Sequence, residues 1–440
     1  MKTQLRFTVF ALLLSLTSLG AQTAHVVFAQ DFTKGLIGVN IDAAGNIWAT
    51  ENGSGNDDGQ ITIIDSTGKK TLFMTGLPST FIQAAGEIVG SYRTYQLPDN
   101  KVLIVVGEGT NKLSETLLIV DKTKFKGTPL TLADVEKVIE HGKFIHGLGF
   151  VQSNPFNVDW DKDGNIFIAD SGANSIVKWH KGVDTFSIVK TIDRFANPFP
   201  YGPPMVDPVP TKALRYSDTT FYVSQLTGFP FVPGAAKVYS LNTNGTMRVH
   251  AEGFTCLTDM SIDPLDGNLC VMQFGVFGDV GGGTLNFKLG SAAVIKLKKD
   301  GTRDTIALGM GGLSPSFTFD GKGNLYVTDL VFGQILKFSL LTSNREIPQI
   351  KALSKAYPNP AQDQVNIEYE ILQAAPVTIG IYDLSGRQVA TYQEGKQVPG
   401  KYLFQWKGVD SKGQGVPSGM YMYRVLAGRS QVSGLVQMVR

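Results

Sequence analysis

A short phrase recurs along the chain: a turn carrying Gly-Asn, then an apolar run that ends in a polar residue. It reads DAAGNIWATE at 42–51, DKDGNIFIAD at 161–170, PLDGNLCVMQ at 264–273 and DGKGNLYVTD at 320–329. Two degenerate copies, LPDNKVLIVVGE at 97–108 and YSDTTFYVSQ at 216–225, fall between them. Taken at Gly45, Asn100, Gly164, Thr219, Gly267 and Gly323, the spacings are 55, 64, 55, 48 and 56 residues. Gly and Asn accept positive φ, so each phrase predicts a tight hairpin, and a third strand follows at 60–65, 176–179 and 335–338. Units of three or four strands cannot bury their faces alone, and six of them predict an all-β, six-bladed β-propeller over 25–338. After Phe338 no fourth strand remains for the last blade. The strand-like segment 26–30 is expected to supply it and close the ring.

Residues 339–355 lack periodicity and read as a linker. A second domain follows over 356–440. Apolar residues alternate at Val365, Ile367, Tyr369 and Ile371, then at Val377, Ile379 and Ile381, with further strands expected at 402–406 and 421–425. That pattern, broken by Gly and Pro turns, predicts a small Ig-like β-sandwich.

The first 24 residues read as a secretory signal peptide: Lys2 and Arg6, an apolar run over 7–19, then small residues at 20–24. No other stretch approaches the roughly 20 apolar residues of a spanning helix, so no transmembrane segment is expected in the mature chain. With 40 basic and 38 acidic residues the chain has no polycationic stripe, which argues against nucleic acid as a partner. Cys256 and Cys270, the two cysteines, would allow one disulfide. Cys270 sits in an apolar run, so two separately buried thiols are expected.

Particular words carry resemblances. SNPFNV (153–158), PVPT (208–211), YVSQLTGFPFVPGAAKVYSL (222–241) and EGFTCLTDMSIDP (252–264) resemble the ScyD/ScyE propeller family, over about residues 30–338. More distantly the repeat is similar to NHL-repeat and SMP-30/gluconolactonase propellers. The resemblance implies export and a six-bladed fold. In the second domain, YPNP (357–360), IYDLSGRQV (381–389), PGKY (399–402), WKGVDSKGQGVPSGMYMYRV (406–425) and VQMVR (436–440) resemble the sorting domain of type IX (Por) secretion, type A. The matching positions are Tyr357, Pro358, Asn359, Pro360, Gly386, Gly400, Trp406, Gly419 and Tyr421. This implies passage through the periplasm to the medium or outer cell surface, with the secretion machinery and its sorting protease as partners.

Chemistry-bearing motifs are few. Asp159, Asp161, Asp163, Gly164 and Asp170 stand at positions 1, 3, 5, 6 and 12 of an EF-hand loop, yet position 9 is Phe167 and the motif is a strand-to-strand turn. A solvated turn is the expectation, and no cofactor is implied, although a divalent cation is compatible with these acids. Asp170, near Asn174, is expected to cap a turn. The acidic loop 51–59, with Glu51, Asp57 and Asp58, is expected to be solvated. His25, His141, His146, His180 and His250 show no metal-ligand spacing, though His141 and His146 flank a Gly-rich stretch that could carry a ligand. There is no GxSxG elbow, Walker loop or Rossmann fingerprint. A lactonase of SMP-30 type would need channel ligands, for which Asn154, Asp259 and Glu51 are the candidates.

Loop length says more. Loops between the first and second strands of each unit are tight turns. Those between the second and third, which share the opposite face with the inter-blade connections, include long aromatic insertions. These hold Gln225, Phe229 and Phe231 at 225–236, and Phe274 and Phe277 at 273–293; the connection 193–211 adds Phe195, Phe199 and Tyr201. The expected function is an exported module that binds an extracellular ligand on this face. A metal-dependent hydrolase using the channel and a scaffold within a surface assembly are the alternatives.

Overall fold

One carboxylate per turn gives the repeated phrase its shape. Asp161 Oδ1 accepts the backbone N–H groups of Asp163 and Asn165 at 3.0 Å each, and the Asn165 amide donates to Oδ2 at 2.8 Å. Asp42 treats Ala44 and Asn46 in the same way, and Asp320 does so with Lys322 and Asn324. Between them Gly45, Gly164 and Gly323 hold φ of +86°, +80° and +87°. In these three turns Asp, Gly and Asn divide the work: one gathers the orphan donors, one supplies the backbone conformation, and one locks the carboxylate.

The computed structural model describes residues 25–83, 86–280, 284–308, 310–340, 350, 354–383, 386–428 and 430–439. The expected signal peptide, 1–24, lies outside them. The chain forms a six-bladed β-propeller followed by an Ig-like β-sandwich. Blade one comprises Leu36–Ile41, Ile47–Glu51, Gly59–Ile64 and Lys70–Leu77. Blade two comprises Glu87–Gln96, Lys101–Val106, Thr116–Asp121 and Val135–Ile139, with Ser79–Ile82 as a short fifth strand. Blade three runs through Pro155–Trp160, Ile166–Asp170, Ser175–His180 and Thr185–Thr191. Blade four runs through Pro210–Arg215, Thr220–Gln225, Ala236–Asn242 and Met247–Phe254. Blade five consists of Leu257–Ile262, Leu269–Gln273, Ala293–Leu297 and Arg303–Leu308.

Blade six has Phe317–Phe319, Asn324–Asp329 and Gln334–Ser339, and its outermost strand is His25–Ala29 from the start of the described chain. That strand pairs antiparallel with Gln334–Ser339, His25 opposite Phe338. The ring is thus closed by main-chain hydrogen bonds between the two ends of the propeller.

Strand alternation explains the core. Val102, Ile104 and Val106 pack toward blade one against Trp48 and Phe73, while Leu103 and Val105 point toward blade three against Ile166 and Ile168. The same device builds an apolar layer at each of the six blade junctions. Cys256 and Cys270 lie buried and unpaired in blade five, and burial pushes the Cys256 thiol up to about 12.

Residues 141–147 are more than a Gly-rich stretch flanked by two histidines. They form a short α-helix carrying both His141 and His146. Gly142 is tied to Glu115 by a 2.7 Å backbone hydrogen bond, and a Cβ there would meet the Glu115 carboxylate at 2.3 Å.

The C-terminal sandwich sets Lys355–Tyr357, Val365–Ile371 and Gly400–Trp406 against the sheet of Gln388–Gln397, Ala375–Asp383, Gly419–Ala427 and Ser430–Met438. Ile350 already belongs to its core. Trp406 is buried against Tyr421 and donates its indole N–H to the Val409 carbonyl at 2.9 Å. Asn359 ties the YPNP segment to the last strand through the Leu435 carbonyl and the Gln437 N–H. Gly400 pairs with Ile371, and Gly419 with Met438. Gly386 abuts blade six, where a Cβ would meet the Val331 carbonyl at 3.0 Å.

Candidate functional site

The long loops of blades four and five converge on one face, and their aromatic rings form a single contiguous cluster. Phe199 stacks on Tyr201 at 5.2 Å, and Tyr201 reaches Phe229 at 6.3 Å. Phe229 stands edge-on to Phe231 and to Phe277 at 6.2 and 6.0 Å. Phe231, Phe277 and Phe274 close around Phe287 at 5.0 to 5.3 Å. Separations of this size are those of favourable edge and offset ring pairs, each contributing about 0.5–1.5 kcal/mol beyond burial. The outer rings stay open to solvent: Phe229 is 43% and Tyr201 38% exposed.

The local sequence explains how the rings are held. Val276–Asp279 and Leu285–Lys288 form a small hairpin inserted between the second and third strands of blade five. Phe277 and Phe287 lie directly opposite each other on it. Phe195–Ala196 and Met205–Val206 form a second hairpin, which carries Phe199 and Tyr201 at its tip. Gly202, at φ +83°, leaves room for Phe229, whose ring would lie 2.9 Å from a Cβ there. Phe287 is absent from the sequence-based candidates; its signal was an aromatic in the alternating run LNFK. Gln225 is buried and serves the frame, donating from Nε2 to the Pro208 carbonyl.

The channel candidates do not come together. Asp259 is 2% exposed, on the first strand of blade five, and is fully committed. Lys212 Nζ lies 2.8 Å from Oδ1, and Ser316 donates to Oδ2 at 2.7 Å. Arg93 Nη2 stands 3.8 Å from Oδ2. Burial works to raise this carboxyl, but the Lys212 ammonium and Arg93 guanidinium outweigh it and hold it below its ordinary range. Arg93 also donates to the carbonyls of Ile37, Tyr92 and Pro315, so one guanidinium joins blades one, two and six across the axis. Arg93 and Lys212 were legible only as basic residues inside apolar strand runs.

Asn154 faces Glu108 instead, accepting its N–H at 3.1 Å and donating to Oε1 at 3.3 Å. Burial and the neighbouring Glu87 and Glu115 raise the Glu108 carboxyl. Glu51 accepts from Gln60 Nε2 at 2.6 Å and from the Lys34 N–H at 3.0 Å. It is a frame residue of blade one.

Asp159, Asp161 and Asp163 each have partners within the protein. Asp159 is half-buried and accepts the Arg215 and Trp160 N–H groups, Asp161 shapes the turn, and Asp163 pairs with Lys162. Among the described residues no group of three or more His, Cys, Asp and Glu is arranged to hold a metal. Asp170 caps its loop, accepting from Asn154, Gly172 and Ala173 N–H at 2.8 to 2.9 Å, with His141 Nε2 and Ser153 Oγ on its other oxygen. His146 pairs with Glu115 at 2.7 Å, and the Phe150 carbonyl and that carboxylate raise its pKa. In the acidic loop, Asp58 accepts from Ser54 and pairs with Lys34, and Asp57 accepts the Ser79 N–H.

Residues 355–431 match the family model of the FlgD Ig-like domain. No curated protein matches the chain in sequence. Among solved structures, a protein of unknown function from Bacteroides thetaiotaomicron VPI-5482 aligns at 14% identity and a TM-score of 0.48, over 72% of this chain and 76% of that one. Streptogramin B lyase aligns at 13% identity and 0.41, over 71% and 95%. PorZ, a surface component of the type IX secretion system of Porphyromonas gingivalis, aligns at 14% and 0.37, over 93% of this chain and 60% of PorZ. The propeller fold stands on the strand pairings themselves. No helix among the described residues is long and apolar enough to cross a membrane.

Proposed function

We propose that this chain is an exported bacterial binding protein whose propeller holds an extracellular ligand on the aromatic face of blades four and five. The observation that carries this reading is the run of seven rings contributed by three separate loops, with Phe229 and Tyr201 left open at its edge. Aromatic side chains give a large contact area at low entropic cost, and a rigid scaffold below removes most of the ordering penalty. A cation-dependent hydrolase in the channel is less well supported, because Asp259, Asn154 and Glu51 are each engaged by different partners.

The test is binding to a panel of immobilised glycans and cell-wall fragments, wild type against Phe229→Ala and Phe231→Ala. Loss of binding with a stability change within about 1 kcal/mol for Phe229→Ala supports the reading. Unaltered binding by the paired variant overturns it.

Delivery by type IX secretion is the second half of the proposal, supported by the sorting-domain words and by the independently cored sandwich on which they fall. Residues 1–24 then act as the signal peptide and 356–440 as the sorting domain, removed by its protease within 339–355. A chain lacking 356–440 should fold and remain in the periplasm. Its appearance in the medium at the wild-type level would refute the sorting role.

A further inference from the structure

The opposite face, where the tight turns lie, carries a second cleft between blades four and five, of about 320 Å³. That is the lower end of the range for small-molecule sites. One wall is aromatic. Tyr216, 59% exposed, lies 4.9 Å from Tyr222, and Tyr222 lies 4.6 Å from the His250 ring. The other wall is cationic, with Lys298, Lys299 and Arg303, and no carboxylate lines the cleft.

The cations differ in what they can offer. Lys298 is held by Asp304 at 2.7 Å, and Arg303 lies 4.0 Å over Phe254 while donating to the Glu252 carbonyl at 2.5 Å. The nearby Asp266 and Asp300 are engaged by Lys296 and Thr302. Lys299 has no ion pair among the described residues and is exposed at the rim. The blade junction does not need these groups: its apolar layer is closed below by Phe254, Leu257, Leu269 and Val271.

We infer that this cleft binds an acidic sugar unit, a pyranose ring bearing a carboxylate. The apolar face of the ring lies on Tyr216 and His250, and the carboxylate meets Lys299 and the edge of the Arg303 guanidinium. A ring without charge leaves the cationic wall unused, and an anion without a ring leaves Tyr216 uncovered. The site is separate from the aromatic loop face and does not depend on it.

The experiment is titration of the purified chain with an oligogalacturonate, with the neutral oligogalactose of equal length and with benzoate. The uronate should bind, its affinity should fall as salt is raised, and Tyr216→Ala and Lys299→Ala should each weaken it at least about tenfold. Both side chains are exposed, so the variants are expected to keep the wild-type melting temperature. Equal binding of the neutral oligomer, preference for benzoate, no binding of the uronate, or uronate affinity unchanged in both variants would each overturn the inference.

Discussion

The guanidinium of Arg424 lies 4.7 Å over the ring of Phe332, although the first belongs to the C-terminal sandwich and the second to blade six. Tyr382 completes the arrangement: its ring stands edge-on to Phe332 at 5.2 Å, its hydroxyl is 2.6 Å from Arg424 Nη2, and Arg424 Nη1 donates to Gln334 Oε1 at 3.4 Å. Around this contact the two domains approach closely. A Cβ on Gly311 would meet Ser433 at 2.7 Å, and Leu426 packs on the core of blades five and six. The sandwich therefore sits on the blade that closes the ring.

Arg424→Ala should loosen this docking without unfolding either core. A cation held between two rings and two hydrogen-bond acceptors is worth about 1–3 kcal/mol. Hydrogen exchange should speed up around 330–333 and at 382, 383 and 386–388, while blades two to four keep wild-type protection. Unchanged exchange at both segments would show that the contact does not hold the domains.

Asp329 gives the same region a pH dependence. Burial raises its carboxyl to about 6, against the hydrogen bonds from Phe332 and Gln334 and the charge of Arg424, which pull it down. A native carboxyl that binds its proton more tightly than the unfolded one adds stability in full below about pH 4. That contribution disappears as pH rises through about 6 and is worth on the order of 2–3 kcal/mol. The difference in unfolding free energy between wild type and Asp329→Asn should therefore shift in favour of wild type on acidification from pH 7.5 to 4.5. A difference independent of pH would contradict this.

Lys212→Met should cost about 3 kcal/mol, because it leaves the buried Asp259 carboxylate with Arg93 at 3.8 Å as its remaining cation, beside the Ser316 hydrogen bond. Adding Asp259→Asn should recover part of that loss, giving a coupling energy in a double-mutant cycle by urea unfolding. A single-variant cost under about 1 kcal/mol would mean that the axial network is not a structural clasp.

Asp161→Ala removes the acceptor for two turn N–H groups and the Asn165 amide, and should lower stability by about 1–3 kcal/mol. Thermal melts in calcium and in chelator should show the same loss. Calcium stabilisation of wild type that disappears in the variant would reinstate a cation loop.

Much of this molecule is local and so was legible in the sequence. The Asp, Gly and Asn of the turns at 42–46, 161–165 and 320–324 act within five residues of one another, so the phrase DKDGNIFIAD announces its hairpin wherever it stands, and its repetition, two copies degenerate, announces a ring. The two-residue period of a strand separates Leu103 and Val105 from Ile104 before any fold is known, because successive side chains leave opposite faces of every sheet. The aromatic loops were likewise visible as long insertions. What residues from distant blades do to one another was decided only in three dimensions. Asp259, read as a channel ligand, is neutralised by Lys212 and Arg93, whose charges reach it only because the ring brings first strands to a common axis. Phe287 joins Phe231 because a hairpin folds back over the neighbouring blade. Arg424 meets Phe332 because two separately cored domains dock. Short-range hydrogen bonding and side-chain period are written into neighbouring residues, whereas ion pairing and ring packing depend on distances that closure of the ring and docking of the sandwich create.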